Sequence, residues 1–514
     1  MAQAVTHWKK DTKESQMKLQ NILGISAGFH DAAATVISPD GEILFAGHSE
    51  RYSKRKNDAE FCTPLIRELE NYNPIDTVAY YERPVMKQLR QFYSGQGIEW
   101  NKLSVKKNIH DQIGHAKWHD VKHYKNYNHH LSHAAAGFQT STFDRATVVV
   151  IDAVGEFETI SIWGAEYDQK GHAVYRRLWQ QNYPHSIGLF YSASTSRVGL
   201  RPLDEEYILM GMAAYGKKGA AEVMRQDLVS DEWAIKFREN LHTGMATGYL
   251  NEFSDMDIAA GAQDLVEDLI MNVMIRARKF NWSSNLVYMG GCALNCAANR
   301  RIGSYFDDIW IMPCPSDAGS SLGAAALALG RRINWRSAYL GHDIPGPYPV
   351  NGILDRLLTE QIVGVASGRA EFGPRALGNR SLLADPRGSE IKEKVNEIKR
   401  RQKFRPFAPV ILEELADMYF DMPRGFSHSR YMQTVARCRH PQLFPAIIHA
   451  DGTSRVQTVP RDGSGIRQLL EKWYVMTDCP MLLNTSLNIR GEPMVNDRAD
   501  ADRFEKLYGV KVCS

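Results

Sequence analysis

The chain has 514 residues, 44% of them hydrophobic and 24% charged; this is ordinary for folded protein but too long for one core, so two or more domains are expected. A formal net charge of +3 leaves no electrostatic footprint for a dedicated nucleic-acid binder, and no apolar run reaches the roughly 18 residues that a membrane span needs. Seven scattered Cys, an odd number, do not make a secreted disulfide framework and are expected to be reduced.

Residues 1–20 carry Lys9, Lys10, Lys13 and Lys18 without an apolar stretch. That predicts a disordered extension rather than a secretory signal, with the cytoplasm as the expected location. From Asn21 the pattern changes: 22–26 predicts a strand, Gly28-Phe29-His30-Asp31 a turn, 32–37 a second strand, and Ser38-Pro39-Asp40-Gly41 a turn into a third. Further on, His129 and His133 stand four residues apart and share a helical face, so two imidazoles can address one ion. Asp152 follows the apolar run 147–151 and is expected at a strand terminus. Asp317 lies in a Ser- and Gly-containing turn before an Ala-rich helix. Two His and two carboxylates suit iron, manganese or zinc. Taken alone, an HxxxH pair among 17 His is also what a plain histidine-rich helix end looks like.

Residues 147–178 repeat the plan of 22–47: strand, polar turn, strand, turn, strand. The repetition predicts a duplicated architecture in which each half offers a Gly-containing turn to a shared ligand, as in the actin, sugar-kinase and Hsp70 superfamily. Two unrelated hairpins would have the same composition. Residues 287–295 read as a strand running into Gly290-Gly291 and a helix that contains Asn295, and 317–323, with Gly319, opens another. Either helix start suits an adenosine moiety. Residues 341–350, Gly- and Pro-rich, predict a linker and a domain boundary. Beyond it come Arg369, Arg375, Arg380 and Arg387, then the run Lys399-Arg400-Arg401-Gln402-Lys403-Phe404-Arg405. Arginines converging on a multiply charged anion, a solvated basic face and an RNA contact all fit these residues.

Taken together and in order, these blocks resemble the carbamoyltransferases typified by the nodulation protein NodU and by enzymes that O-carbamoylate antibiotics such as tobramycin. The resemblance is carried by residues 22–34, HHLSH at 129–133, 184–191, 210–216, GGCALN at 290–295, 371–381, Arg405-Pro406-Phe407-Ala408-Pro409 and Asn484-Thr485-Ser486-Leu487-Asn488. It implies a mixed α/β chain with an actin-like, duplicated-lobe (Kae1-like) domain over 21–340 and a YrdC-like twisted-sheet domain over 351–514. The KxR and SxN signatures of the latter fall on Lys403, Arg405, Ser486 and Asn488. The implied chemistry is formation of carbamoyl adenylate from carbamoyl phosphate and ATP, with Mg2+, at Arg375, Arg380, Lys403, Arg405, Ser486 and Asn488. Transfer to a hydroxyl of a small-molecule acceptor would follow in the N-terminal domain. There His129, His133, Asp152 and Asp317 would hold a divalent metal, iron(II) first and manganese or zinc next, and Gly290, Gly291, Asn295 and Gly319 would line the nucleotide.

The same resemblance makes His30, with Asp31, a candidate base or orienting pair for the acceptor hydroxyl; a simple turn-shaping contact between the two is the rival. Residues 85–128, rich in Lys, His, Tyr and Trp, are the candidate acceptor-facing insertion. A homodimer is compatible with these features, whereas nucleic acid and membrane are not expected partners. Two other functions stay in view: an enzyme related to threonylcarbamoyl transfer to tRNA, and a regulatory ATP-binding protein of the actin and Hsp70 superfamily that transfers nothing.

Overall fold

Apolar runs around Leu23-Ile25 and Val148-Ile151 build two sheets of the same plan in a computed structural model that describes residues 20–114, 121–426 and 428–514. The first sheet holds β1 (Asn21–Ser26), β2 (Ala33–Ile37), β3 (Ile43–His48), β4 (Ile75–Tyr80) and β5 (His123–Asn126) in the order β3-β2-β1-β4-β5. β1, β2 and β3 form an antiparallel meander, and β4 and β5 join parallel. The second holds β6 (Arg145–Ile151), β7 (Glu158–Tyr167) and β8 (Ala173–Asn182). After a short ribbon of β9 (Val229–Asp231) and β10 (Lys236–Phe237), it adds β11 (Asn285–Met289) and β12 (Asp308–Trp310). Its order, β12-β11-β6-β7-β8, and its pairing sense repeat the first. The duplication expected from the two meanders is present.

Each half ends in a helix, His129–Thr140 in the first and Ser320–Leu329 in the second. Both are rich in Ala and Gly, and they exchange places: Ala134, Ala135 and Phe138 pack with Val148, Val150, Val287 and Met289 of the second sheet, while Ala324 packs with Leu23 and Ile25 of the first. Small residues are required because backbones nearly touch. A Cβ on Gly323 would lie 1.8 Å from the Ser132 carbonyl oxygen, and one on Gly24 would lie 1.9 Å from that of Ser321.

The rest of the chain adds β13 (Tyr339–Ile344), β14 (Ile362–Ala366), β15 (Gly368–Glu371), β16 (Arg380–Ala384), β17 (Ala408–Leu412), β18 (Phe420–Asp421), β19 (Val435–Cys438), β20 (Thr453–Arg455), β21 (Gln457–Val459), β22 (Met481–Ser486) and β23 (Val512–Cys513). Six of these make a mixed sheet, β21-β17-β22-β16-β14-β23, over its own core around Trp473, Leu482 and Val410. β18, β19 and β20 form a separate antiparallel sheet.

The segment expected as a linker, 341–350, begins inside β13, which pairs with β15 through Tyr339↔Glu371 and Asp343↔Arg369. Its Gly and Pro content reads as loop, but a free partner edge turns its first four residues into strand. Arg369 ties the junction by donating to the Leu44 and Leu340 carbonyls, and Arg51 donates to those of Glu371 (2.6 Å) and Gly373 (2.7 Å). The expected extension at 1–20 lies outside the described residues apart from Gln20.

Gly323→Ala should destabilise the protein. The gain of about 1 kcal/mol in helix propensity is outweighed by overpacking worth about 1–3 kcal/mol or more against rigid backbone. A lower urea midpoint for this variant checks the expectation; an unchanged or raised midpoint contradicts it.

Candidate functional site

Four donors converge at the start of the two exchanged helices. Asn128 caps the helix His129–Thr140 by accepting from Leu131 N at 3.0 Å, which fixes the first turn where His129 and His133 share an inward face. Asp152 follows β6, and its Oδ1 is anchored by the N–H groups of Ala153 (2.9 Å) and Gly291 (3.2 Å), so Oδ2 points inward. Asp317 opens the turn before the helix Ser320–Leu329. The two Nε2 atoms are 3.2 Å apart, each is 3.3 Å from Asp152 Oδ2, and each is 3.2 Å from Asp317 Oδ1. A tetrahedral ion with bonds of about 2.0–2.1 Å needs donor separations of about 3.3–3.4 Å, so the set fits a divalent metal. All four residues are buried.

The outer nitrogens are set as well. His133 Nδ1 donates to the Pro315 carbonyl at 3.1 Å, which turns the Nε2 lone pair inward. His129 Nδ1 faces the buried Glu82 carboxylate at 3.8 Å, and Glu82 is held by Lys87 Nζ at 2.6 Å. Burial opposes charge on both imidazoles, but Asp317 and Asp152 outweigh it, and the pKa values of His129 and His133 are raised. Protons therefore occupy the ground that a cation would take. His130 turns away to Ser161 Oγ (2.8 Å), and burial beside His129 pushes its pKa down to about 3.

The first-lobe turn reaches the same cluster. His30 Nε2 lies 3.9 Å from Asp317 Oδ2, and its Nδ1 lies 3.5 Å from Asp31 Oδ2. Burial opposes its charge, yet Asp31, Asp317 and Asp152 together raise its pKa to about 9. In that state His30 is a donor; a base role requires a cation to offset the carboxylates. Gly290 takes φ +91 where a side chain would strike the Ile151 carbonyl, and this lets the 290–296 loop pass close over Asp152. Asn295 exchanges two amide hydrogen bonds with Gln263 (3.0 and 3.1 Å), and Gly319 is buried against the Cys314 carbonyl.

A second centre, of opposite charge, lies across the 290–296 loop. Arg375, Lys399, Arg401, Arg405 and Arg455 are buried or half-buried, and none has a carboxylate partner among the described residues. Burial and mutual repulsion lower Lys399, Arg401 and Arg405, and burial together with Arg455 pushes Arg375 down to about 9. Arg405 rests on the Tyr207 ring at 4.8 Å. Ser486 and Asn488 do not face open space: with their backbone carbonyls they clasp the Lys399 ammonium, Asn488 Oδ1 at 3.0 Å and Ser486 Oγ at 3.2 Å.

Two expected residues stand apart from this cluster. Lys403 is exposed and faces Glu393 at 3.7 Å. Arg380 is fully buried and donates to the carbonyls of Asn496, Ser367, Gly368, Asn379 and His342 at 3.0–3.2 Å, so its guanidinium is consumed in holding the fold. Lys399, Arg401 and Arg455 were not singled out from sequence. The first two sit in a basic run already noted, but Arg455 gives no local signal. Between the centres, a cavity of about 10 Å³ lined by Leu294, Pro313, Pro315 and Arg375 has room for about one water.

Anaerobic titration with iron(II), manganese(II) or zinc(II) should find one tight site, lost in His133→Ala and Asp152→Asn. Glu82→Gln should weaken it about 10–100-fold by freeing the His129 ring. Because the folded-state pKa values of His129 and His133 are raised, their protons compete with the ion into the neutral range. Affinity should therefore rise with pH, with protons released on binding; calorimetry in buffers of different ionisation enthalpy reads this directly, and pH-independent binding contradicts it.

Two family models match: the carbamoyltransferase N-terminus over residues 70–326 and the carbamoyltransferase C-terminus over 354–512. A Synechocystis protein is 33% identical, with 94% of both chains covered. Nodulation protein NolO of Bradyrhizobium diazoefficiens is 32% identical over 73% of this chain and 75% of its own, and nodulation protein NolNO of Sinorhizobium fredii is 29% identical over 92% and 76%. With both halves matched and a 32% identical nodulation protein covered over three quarters of its length, the chain belongs to the carbamoyltransferase family.

Proposed function

We propose that this carbamoyltransferase works in two steps at its two centres, using ATP and carbamoyl phosphate to carbamoylate a hydroxyl of a small molecule. The observation that carries the reading is that a basic cluster without acidic partners and a four-donor acidic site flank one loop, 290–296. The first suits reactants rich in phosphate and the second suits a cation. In this reading the duplicated body, 21–340, is actin-like and Kae1-like, and 351–514 is YrdC-like.

In the first step, carbamoyl phosphate loses phosphate to water, the resulting carbamate oxygen bonds to the α-phosphorus of ATP, and pyrophosphate leaves. Arg375, Arg401, Arg405 and Arg455 neutralise the charge that gathers on these phosphates, and the buried Lys399, fixed by Ser486 and Asn488, holds the cluster in shape. In the second step, the acceptor oxygen attacks the carbamoyl carbon and AMP departs. His129, His133, Asp152 and Asp317 would hold a divalent metal that serves as a Lewis acid toward the leaving phosphate, with iron(II), manganese and zinc all matching the donor set. His30, at the mouth of this site, orients the acceptor hydroxyl or takes its proton, and Asp31 holds the His30 ring. The loop glycines Gly290 and Gly291 let the adenylate approach backbone closely, while Asn295 and Gly319 shape the floor beneath it.

With carbamoyl phosphate and ATP the protein should release pyrophosphate and yield carbamoyl-AMP by mass spectrometry. Arg405→Ala should cut that yield on the order of 10²–10³-fold, whereas His129→Ala should spare it and block transfer to an acceptor. Equal loss of adenylate formation in both variants, each folded and still binding ATP, would sink the division of labour.

A further inference from the structure

We infer that the crevice between the two bodies is an outer anion site, which takes a small phosphorylated ligand and passes it to the buried basic cluster. Only the identity of that ligand as a co-substrate rests on the two-step reading. The crevice has a volume of about 420 Å³, the size of a small-metabolite pocket. Arg300, Arg301 and Tyr305 line it from the N-terminal body, and Val435, Arg437 and Thr453 from the other.

Its charges do not cancel. Arg301 is paired with Asp268 (3.0 Å) and Glu267 (3.5 Å), and Asp421, the one acid in the lining, is paired with Arg439 at 2.9 Å. That leaves Arg300 and Arg437, exposed, with no side-chain hydrogen bond or ion pair among the described residues. Two unpaired guanidiniums lining one cavity repel each other until an anion enters, and their planar forks match phosphate oxygens two at a time. Tyr305 adds a flat surface for a ring.

Strand register links this crevice to the inner cluster. β19 and β20 pair Val435 with Arg455 and Arg437 with Thr453, so all four side chains share one face of the sheet. From that face Arg455 reaches Cys296 and bears on Arg375 and Arg401. Cys296 begins the helix Cys296–Asn299, and Arg300 follows its end, so the backbone that meets Arg455 and the backbone that carries Arg300 are about one helical turn apart, some 6 Å of rise. One short helix and one strand pair thus carry both the crevice arginines and the contacts of Arg455.

Inorganic pyrophosphate is the probe. Titrated calorimetrically into full-length Arg405→Ala, which weakens the inner cluster, it should still bind weakly and less tightly as salt rises. Adding Arg300→Ala and Arg437→Ala should lower that affinity on the order of 10-fold, adding Arg300→Lys and Arg437→Lys instead should restore part of it, and Arg424→Ala, whose partner Asp307 lies outside the crevice, should change nothing. In the otherwise native protein, the Arg300→Ala, Arg437→Ala pair should lower kcat/KM for carbamoyl phosphate at low salt, with the deficit shrinking as salt rises. Pyrophosphate binding unaffected by the pair, or a deficit independent of salt, overturns the site. Absence of carbamoyl-AMP in the native protein would instead overturn the two-step reading, and the pyrophosphate titration would still decide the crevice.

Discussion

The near-contact of two helix backbones is what the rest of the N-terminal body depends on. Gly323 against the Ser132 carbonyl and Gly24 against that of Ser321 leave no room for a single methyl, so the two helices and the two sheets are locked in one register. Ligand geometry follows from that lock. His129 and His133 come from the start of one helix and Asp317 from the turn that opens the other, while Asp152 directly follows β6. Donor separations of 3.2–3.3 Å are therefore a property of the fold rather than of adjustable side chains. Four donors preorganised in this way would spend little reorganisation energy on a cation.

Charge is segregated with equal economy of elements. The loop that donates Gly291 N–H to Asp152 continues into Cys296, which meets Arg455, so one short segment faces carboxylates on one side and guanidiniums on the other. The two centres would neutralise each other if they touched; the loop and the Pro313 to Pro315 stretch keep them apart. Each keeps a charge of its own sign, which suits the acidic side to a cation and the basic side to phosphates.

Local pattern was most legible in the placement of His129, His133 and Asp152 and in the repeated meanders. An i, i+4 pair of histidines and a carboxylate at the end of a β-branched run are set by periodicities that sequence states directly, and both proved to lie where expected. Spacing failed where tertiary contacts decide. Arg380 and Arg375 sit in one motif, yet Arg380 is absorbed by five backbone carbonyls while Arg375 faces the cluster. Lys403 looks equivalent to Arg405 two residues on, but only Arg405 turns inward to Tyr207. Ser486 and Asn488 serve a lysine 87 and 89 positions away, a relation no local reading contains. The supposed linker failed for a similar reason: β13 is strand because β15 offers it an edge.

The one-water cavity between Arg375 and Pro315 lies between the basic cluster and the four converging donors. At about 10 Å³ it is too small to hold a carbamoyl group. If the two-step reading holds, a carbamoyl donor taking this route would need the 290–296 loop or the Pro313 to Pro315 stretch to move aside.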